Sequence, residues 1–275
     1  MPGQESNEEK RCNKRIHKSP TRPNRIQMET QKQHKRPRRS KLPGPGSLGG
    51  LKTLRFFERD LDKRTAYNLA LKPRLAIDTE TEGLDYRKHK LRLVQLCTDE
   101  GRVYIIRNPR GKNTSPNLHD VLLSYIPTKV FHHAMFDLRF LKAGMRIEPA
   151  GAIECTKVMM KIVKPDKKSG IGSLLGNMLK IHLPKLDIDY SKWNEPVLTH
   201  DQLLYSAGDV LYLGKALDKL KEQANQDQYR TYLRAMDVCT RMASLQVEGY
   251  TDLFDYEQNS YKVNLEHRNW WLNPS

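Results

Sequence analysis

Two hydrophobic rhythms alternate along residues 51–245, and each marks an element. Apolar residues at helical intervals predict a helix over 51–71, with an interruption near Arg59-Asp60. Residues 74–78 read as a strand. Residues 91–97 and 102–106 read as two more, joined by Asp99-Glu100-Gly101 as a hairpin signal. Pro116 in a first turn predicts a helix over 115–125. A fourth strand at 129–132 leads into a helix from Ala134 that stops at Gly144. Short helices are expected around 155–163 and 171–181, then a loop rich in Pro and Asp. Thr199, with Gln202 three residues on, forms a capping box that opens a long helix, and a last helix is expected over about 229–245. Three strands in an antiparallel meander, followed by alternating helix and strand, predict an α/β fold: a mixed sheet with helices on both faces. No internal repeat is visible.

Residues 1–50 lack any such rhythm. They hold thirteen Lys or Arg against four Glu, and their apolar residues are scattered singly, so no face can be buried to offset the entropy of ordering. A disordered basic tail and linker is expected over 1–50, flexible from 42 to 50, then one domain over 51–225 and a C-terminal helix and tail over 226–275. The densest charge block, 34–41, would anchor phosphates or act as a targeting signal, and Lys35-Arg36-Pro37-Arg38-Arg39 would serve as a nuclear signal in a eukaryote. The net charge of +16 over 275 residues points to polyanionic partners. No run of 18 apolar residues exists to make a transmembrane helix, so no membrane partner is expected. The first ten residues lack the apolar core of a secretory signal, and the four cysteines are far apart. A reducing compartment, the cytoplasm, is therefore expected.

Chemistry concentrates in three places. In Ala76-Ile77-Asp78-Thr79-Glu80, residues two apart share a strand face, so Asp78 and Glu80 project together. Adjacent carboxylates repel unless a cation lies between them, which suits a hard metal ion, although a solvated strand end accounts for the pair too. Asp137 falls in the first turn of its helix, where the helix dipole alone favours a carboxylate. Tyr205 and Asp209, four apart, share one face of a helix apolar around most of its girth. A carboxylate there must be coordinated or paired, and a salt bridge would also satisfy it.

Taken in order, Asp-x-Glu, Phe-Asp and Tyr-x-x-x-Asp resemble the motifs of the DEDDy 3′–5′ exonucleases, and over about 55–225 the chain resembles the ribonuclease D family. Arg59-Asp60-Leu61, Val94-Gln95-Leu96, Gly172-Ser173-Leu174 and Trp193 before Pro196-Val197-Leu198-Thr199 strengthen the likeness. Ser115-Pro116-Asn117-Leu118 and 248–254 resemble the short, single-domain nanoRNase C type, which acts on very short RNA and assembles as a ring. The resemblance implies a ribonuclease H-like fold and hydrolysis of RNA, or of short oligoribonucleotides, to nucleoside 5′-monophosphates. It also implies two divalent ions, Mg²⁺ or Mn²⁺. Asp78, Glu80 and Asp209 would hold one ion, Asp78 and Asp137 the second, and Tyr205 would orient the attacking water. Thr79, Leu84, His133, Phe136 and Lys185 are expected against the substrate. Arg107, Arg110, Lys112, Lys164, Lys167 and Lys168 are the cations placed to track a phosphate backbone. The sequence departs from the family at His133, where Asn is usual, at Leu186, where a Lys is often found beside Lys185's position, and at Lys192, where an acid is usual. Two alternatives remain open on the residues: a DNA-directed exonuclease of the same fold, and a non-catalytic nucleic-acid-binding scaffold. A homo-oligomer is compatible with either substrate.

Overall fold

In the computed structural model, the described residues are 48–251 and Leu253, so the charge block at 34–41 and the C-terminal tail lie outside them. Six strands, β1 (Thr53–Glu58), β2 (Arg74–Thr81), β3 (Leu91–Thr98), β4 (Arg102–Arg107), β5 (Thr128–Phe131) and β6 (Ile153–Cys155), form one sheet in the order β1-β4-β3-β2-β5-β6. The expected meander is β2-β3-β4, antiparallel throughout. β5 joins β2 in parallel, β6 joins β5 in parallel, and β1 joins β4 in parallel. Between β3 and β4, Gly101 adopts φ 79°, and a Cβ there would meet the Gly50 carbonyl oxygen at 2.1 Å, so only glycine fits this turn. β3 is buried at nearly every position, which requires cover on both faces of the sheet.

That cover comes from α1 (Lys63–Ala70), α2 (Pro116–Leu123), α3 (Ala134–Met145), α4 (Thr156–Val163), α5 (Ile171–Leu179), α6 (His200–Leu211), α7 (Leu213–Gln223) and α8 (Gln226–Val247). α6 lies against β2, β3 and β4, while α3 packs on β2, β5 and α8. Leu75, Ile77, Leu93, Leu96 and Ile105 are fully buried at the centre. α8 buries a stripe of Tyr232, Met236, Cys239, Ala243 and Val247, spaced three or four apart.

The structure corrects four expectations. First, 51–71 is not one helix: 53–58 form the edge strand β1, and only 63–70 are helical. Apolar residues at 51, 54 and 61 fit a helical period, but the free edge of β4 offers six residues of pairing, and this long-range ladder overrides the local pattern. Arg59, at φ 67°, ends the strand, and the Asp62 side chain caps α1 through Thr65 N at 2.8 Å. Second, the long helix opened by Thr199 breaks at Tyr212 into α6 and α7, where φ moves to −115° and the Tyr212 hydroxyl donates to the Gly49 carbonyl. Third, the linker is fixed at its end, since Leu48 is 5% exposed and packs with Leu51 and Leu54 in the core. Fourth, β6 is a short strand where none was expected.

Candidate active site

β2 and β5 pair only as far as Ala76 and Val130. Beyond that point β5 turns into α3 and the C-terminal half of β2 is unpaired on that side, at the strand end where open α/β sheets bind ligands. Into this region β2 brings Asp78 and Glu80, α6 brings Asp209, and α3 brings Asp137. One carboxylate oxygen from each of Asp78, Glu80 and Asp209 lies within 4.8 Å of the others. Glu80 and Asp209 are buried and Asp78 is partly so. The capping box of α6 is complete, with Thr199 N donating to Gln202 Oε1 at 2.9 Å and Gln202 N to Thr199 Oγ1 at 3.1 Å. Two helical turns on, this fixed start delivers Asp209 to the sheet.

Asp137 stands beside the trio rather than in it. Where β5 leaves, the edge of β2 at Thr79 is free, and the Thr79 backbone and hydroxyl both bond the Asp137 carboxylate, Oγ1 donating to Oδ1 at 2.8 Å. The structure thus places Thr79, expected against substrate, as the residue that aims Asp137. Gln95, opposite Asp78 in the β2–β3 register, donates to Glu80 Oε1 at 3.3 Å. A glutamine at a fully buried strand position was the signal in the sequence for this role.

The electrostatics describe a site short of positive charge. Burial, and then the charges of Asp137, Asp209 and Glu80, push the Asp78 carboxyl well above its ordinary range, and burial with Asp209 and Asp137 does the same to Glu80. Burial lifts Asp209 to about 7, opposed by Tyr205, and lifts Asp137 to about 7, opposed by its bonds from Thr79. No basic side chain enters as a cause in any of the four. Convergent oxygen donors, buried and mutually repelling, fit a hard divalent cation. Burial and the Asp209 and Glu80 charges drive the Tyr205 hydroxyl far above its ordinary value, so it keeps its proton. Its ring packs edge-on against Tyr190 at 5.6 Å and tilted against the buried Trp193 at 6.2 Å.

The other expected residues fall as follows. Leu84 is 83% exposed on the loop after β2, free of the core. His133 sits at the start of α3 with its ring stacked on Phe136 at 6.2 Å, and Phe136 meets Phe140 at 4.8 Å on the other side. Phe136 therefore joins an aromatic row packed on the core. Lys185 is exposed on the segment between α5 and α6, while the neighbouring Leu186 packs inward. Arg107 is committed elsewhere: it bonds Glu58 at 2.7 Å and the Glu195 and Pro196 carbonyls, tying β4 to the approach of α6.

A mixed sheet of this topology, with a carboxylate trio at the end of β2 and Asp137 and Tyr205 beside it, has the ribonuclease H-like fold and a donor set suited to a metal-dependent nuclease. The family model described as 3′–5′ exonuclease matches residues 57–225, more than half of the sequence, and the chain belongs to that family. NrnC of Brucella melitensis is 28% identical, with a TM-score of 0.66 over 74% of this chain and 98% of that one. Further structures of that protein, with bound Mg²⁺ and bound to pGG, give TM-scores of 0.64 and 0.62 at 27% and 26% identity, the first covering 74% of this chain and 99% of that one, the second 76% and 98%. Ribonuclease D of Escherichia coli, 19% identical, shares the fold with a TM-score of 0.56 over 72% of this chain and 53% of that one. DNA polymerase I of Aquifex aeolicus is 28% identical over 167 residues, which are 60% of this chain and 26% of the polymerase, so the chain matches about a quarter of that relative's length. The protein is thus a member of the 3′–5′ exonuclease family, similar to NrnC in sequence and structure and to ribonuclease D in fold.

Proposed function

We propose that this exonuclease removes nucleoside 5′-monophosphates from the 3′ ends of RNA, very short oligoribonucleotides among them. The observation that carries the reading is the trio Asp78, Glu80 and Asp209, with ligand oxygens within 4.8 Å of one another and, among the described residues, no basic side chain that lowers their raised pKa values. The likeness to NrnC, which has been solved with Mg²⁺ and with pGG bound, supports both the cofactor and the substrate class. Asp78, Glu80 and Asp209 would hold one divalent ion, and Asp78 with Asp137 a second, Mg²⁺ or Mn²⁺. Such ions, when bound, supply charge relief for phosphoryl transfer.

The chain's own residues do the rest. Thr79 holds the Asp137 carboxylate in one orientation, and Gln95 does the same for Glu80. Tyr205, one helical turn before Asp209 on α6, donates a hydrogen bond that orients the attacking water. Leu84, exposed on the loop after the Asp-x-Glu strand, wedges against a terminal base, a contact tolerant of sequence. His133 and Lys185, both exposed, complete the substrate side. The catalytic unit spans 51–225, and α8 with the C-terminal segment is an addition to it.

A second reading, cleavage of DNA 3′ ends, is favoured by the match to DNA polymerase I. Incubating the protein with a labelled diribonucleotide, a long single-stranded RNA and DNA of the same sequence, with Mg²⁺ and with EDTA, tests both. Metal-dependent loss of the ribonucleotide substrates from their 3′ ends is expected. Cleavage of DNA alone would replace the RNA reading with the second, and cleavage of nothing would overturn both.

A further inference from the structure

A second, oppositely charged feature lies along α3 from the acids. The loop between β2 and β3, the end of β4 and the C-terminal half of α3 enclose a groove of about 510 Å³ lined by Arg87, Lys88, His89, Lys90, Arg92 and Arg110. Ala143 and Gly144 form its wall on α3. A Cβ at Gly144 would meet Leu91 Cβ at 2.9 Å, so glycine is what lets the start of β3 and α3 close together here. From Asp137 to Gly144 the helix rises about 10 Å at ~1.5 Å per residue, placing the groove within a few nucleotides of the carboxylates.

We infer that this groove binds the sugar-phosphate backbone of the nucleic-acid strand upstream of the 3′ end held at the acids, an inference that rests on the exonuclease reading above. The loop presents its cations from a rigid turn. The Asp85 carbonyl accepts from Lys88 N at 3.0 Å and His89 N at 2.9 Å, and Asp85 caps the turn through Arg87 N at 3.0 Å. Two of the basic residues are structural: Arg87 pairs with Asp85, and Arg92 with Glu82 while also bonding Asn108 Oδ1 at 3.1 Å. Lys88, Lys90 and Arg110 are exposed, and Lys88 approaches its nearest acid, Asp85, only at 3.9 Å. Five Lys or Arg thus face two carboxylates, both already engaged, which leaves an excess positive field.

The groove reads phosphate, not base. Its two ring-bearing residues are occupied: the Tyr86 hydroxyl donates to the Gln246 carbonyl at 2.8 Å, its ring meets Phe140 edge-on and Arg139 lies over its face at 5.3 Å, while the His89 ring packs against Gly83 and its Nδ1 accepts from Asp85 N at 3.2 Å. No stacking platform remains, so binding is independent of sequence. Nucleic acid is favoured over an acidic protein because the same loop carries exposed Leu84 and springs directly from the strand of Asp78 and Glu80. The groove therefore gives the enzyme a hold on strands longer than the terminal pair.

The test compares the full chain with its Lys88→Gln/Lys90→Gln/Arg110→Gln variant, three exposed substitutions whose folding is checked by thermal melting. Binding of a labelled long single strand is read by fluorescence anisotropy in EDTA at several salt concentrations, and cleavage of a dinucleotide in Mg²⁺. The variant should bind the strand at least about tenfold more weakly. Its slope of log affinity against log salt should shrink by about 2, three cations at ~0.7 each. Its kcat/KM on the dinucleotide should stay within about twofold of wild type. Unchanged strand affinity and slope would overturn the inference, as would a parallel loss on the dinucleotide, or wild-type protein binding polyglutamate as tightly as the strand. If neither protein cleaves anything, the exonuclease reading falls, and the binding comparison still decides whether the groove holds a backbone.

Discussion

At the scale of single residues, the site is a balance held against carboxylate repulsion. Asp137 and Asp209, ordinarily near 3.8, titrate at about 7 in the folded protein. A carboxyl raised in this way contributes stability that is fully present below its unfolded value and is lost as pH rises through the folded one. Without divalent metal, the melting temperature should therefore fall between about pH 4 and about pH 7. Saturating Mg²⁺ should flatten that decline, and Asp209→Asn should reduce it. A metal-free melting temperature that rises over this window would contradict the assignment. Asp209→Asn should also cost about 10³-fold or more in kcat, since each ~1.36 kcal/mol is tenfold and cation-derived charge relief is worth several. Thr79→Val should leave the trio in place but release Asp137, weakening metal activation by about 10–100-fold, as loss of a carboxylate's supporting bond does at other sites. A metal titration of activity would read that shift, and an unchanged midpoint would show that Thr79 does not aim Asp137. Strand and helix periodicities in the sequence pair Asp78 with Glu80 and Tyr205 with Asp209 on one face each, and only the resemblance to the exonuclease motifs joins Asp137 to them as one candidate site. Thr79's partner was not legible. It depends on where β5 leaves β2, a long-range event with no local signature.

At the scale of elements, local signals succeeded where the chain caps itself. Thr199 and Gln202 announced the start of α6, and Pro116 the start of α2, although the cap of α2 comes from afar, with Asp60 accepting from Leu118 N at 2.8 Å and Asn117 N at 3.1 Å. Local signals failed where another element decided. β1 has a helix-like pattern and becomes a strand only because β4 offers an edge. The break at Tyr212 depends on Gly49, 163 positions away. Thr199→Ala removes one side of the capping box and should destabilise the protein by about 1 kcal/mol. The effect should show as a lowered denaturant midpoint with an unchanged slope. An unaltered midpoint would mean that the burial of α6, and not its cap, fixes the approach of Asp209.

At the scale of the molecule, charge is divided by function. The acids gather at the C-terminal end of β2, while the cations collect on the β2–β3 loop and in the first 47 residues, which hold thirteen Lys or Arg. Removing residues 1–47, and stopping short of Leu48 because it belongs to the core, should lessen the salt dependence of strand binding while leaving dinucleotide turnover unchanged. Equal salt slopes for the two proteins would deny the tail any part in binding. None of the described helices is long and apolar enough to cross a membrane.

Calorimetric titration of the metal-free protein with Mn²⁺ tests the cluster most directly, run beside Asp78→Asn and Asp209→Asn. Saturable uptake by the wild type, lost in both variants whose melting curves stay cooperative, is the expected result. Heat of binding that is absent from the wild type, or that survives both substitutions, would show that these carboxylates do not hold the ion on which the reaction depends.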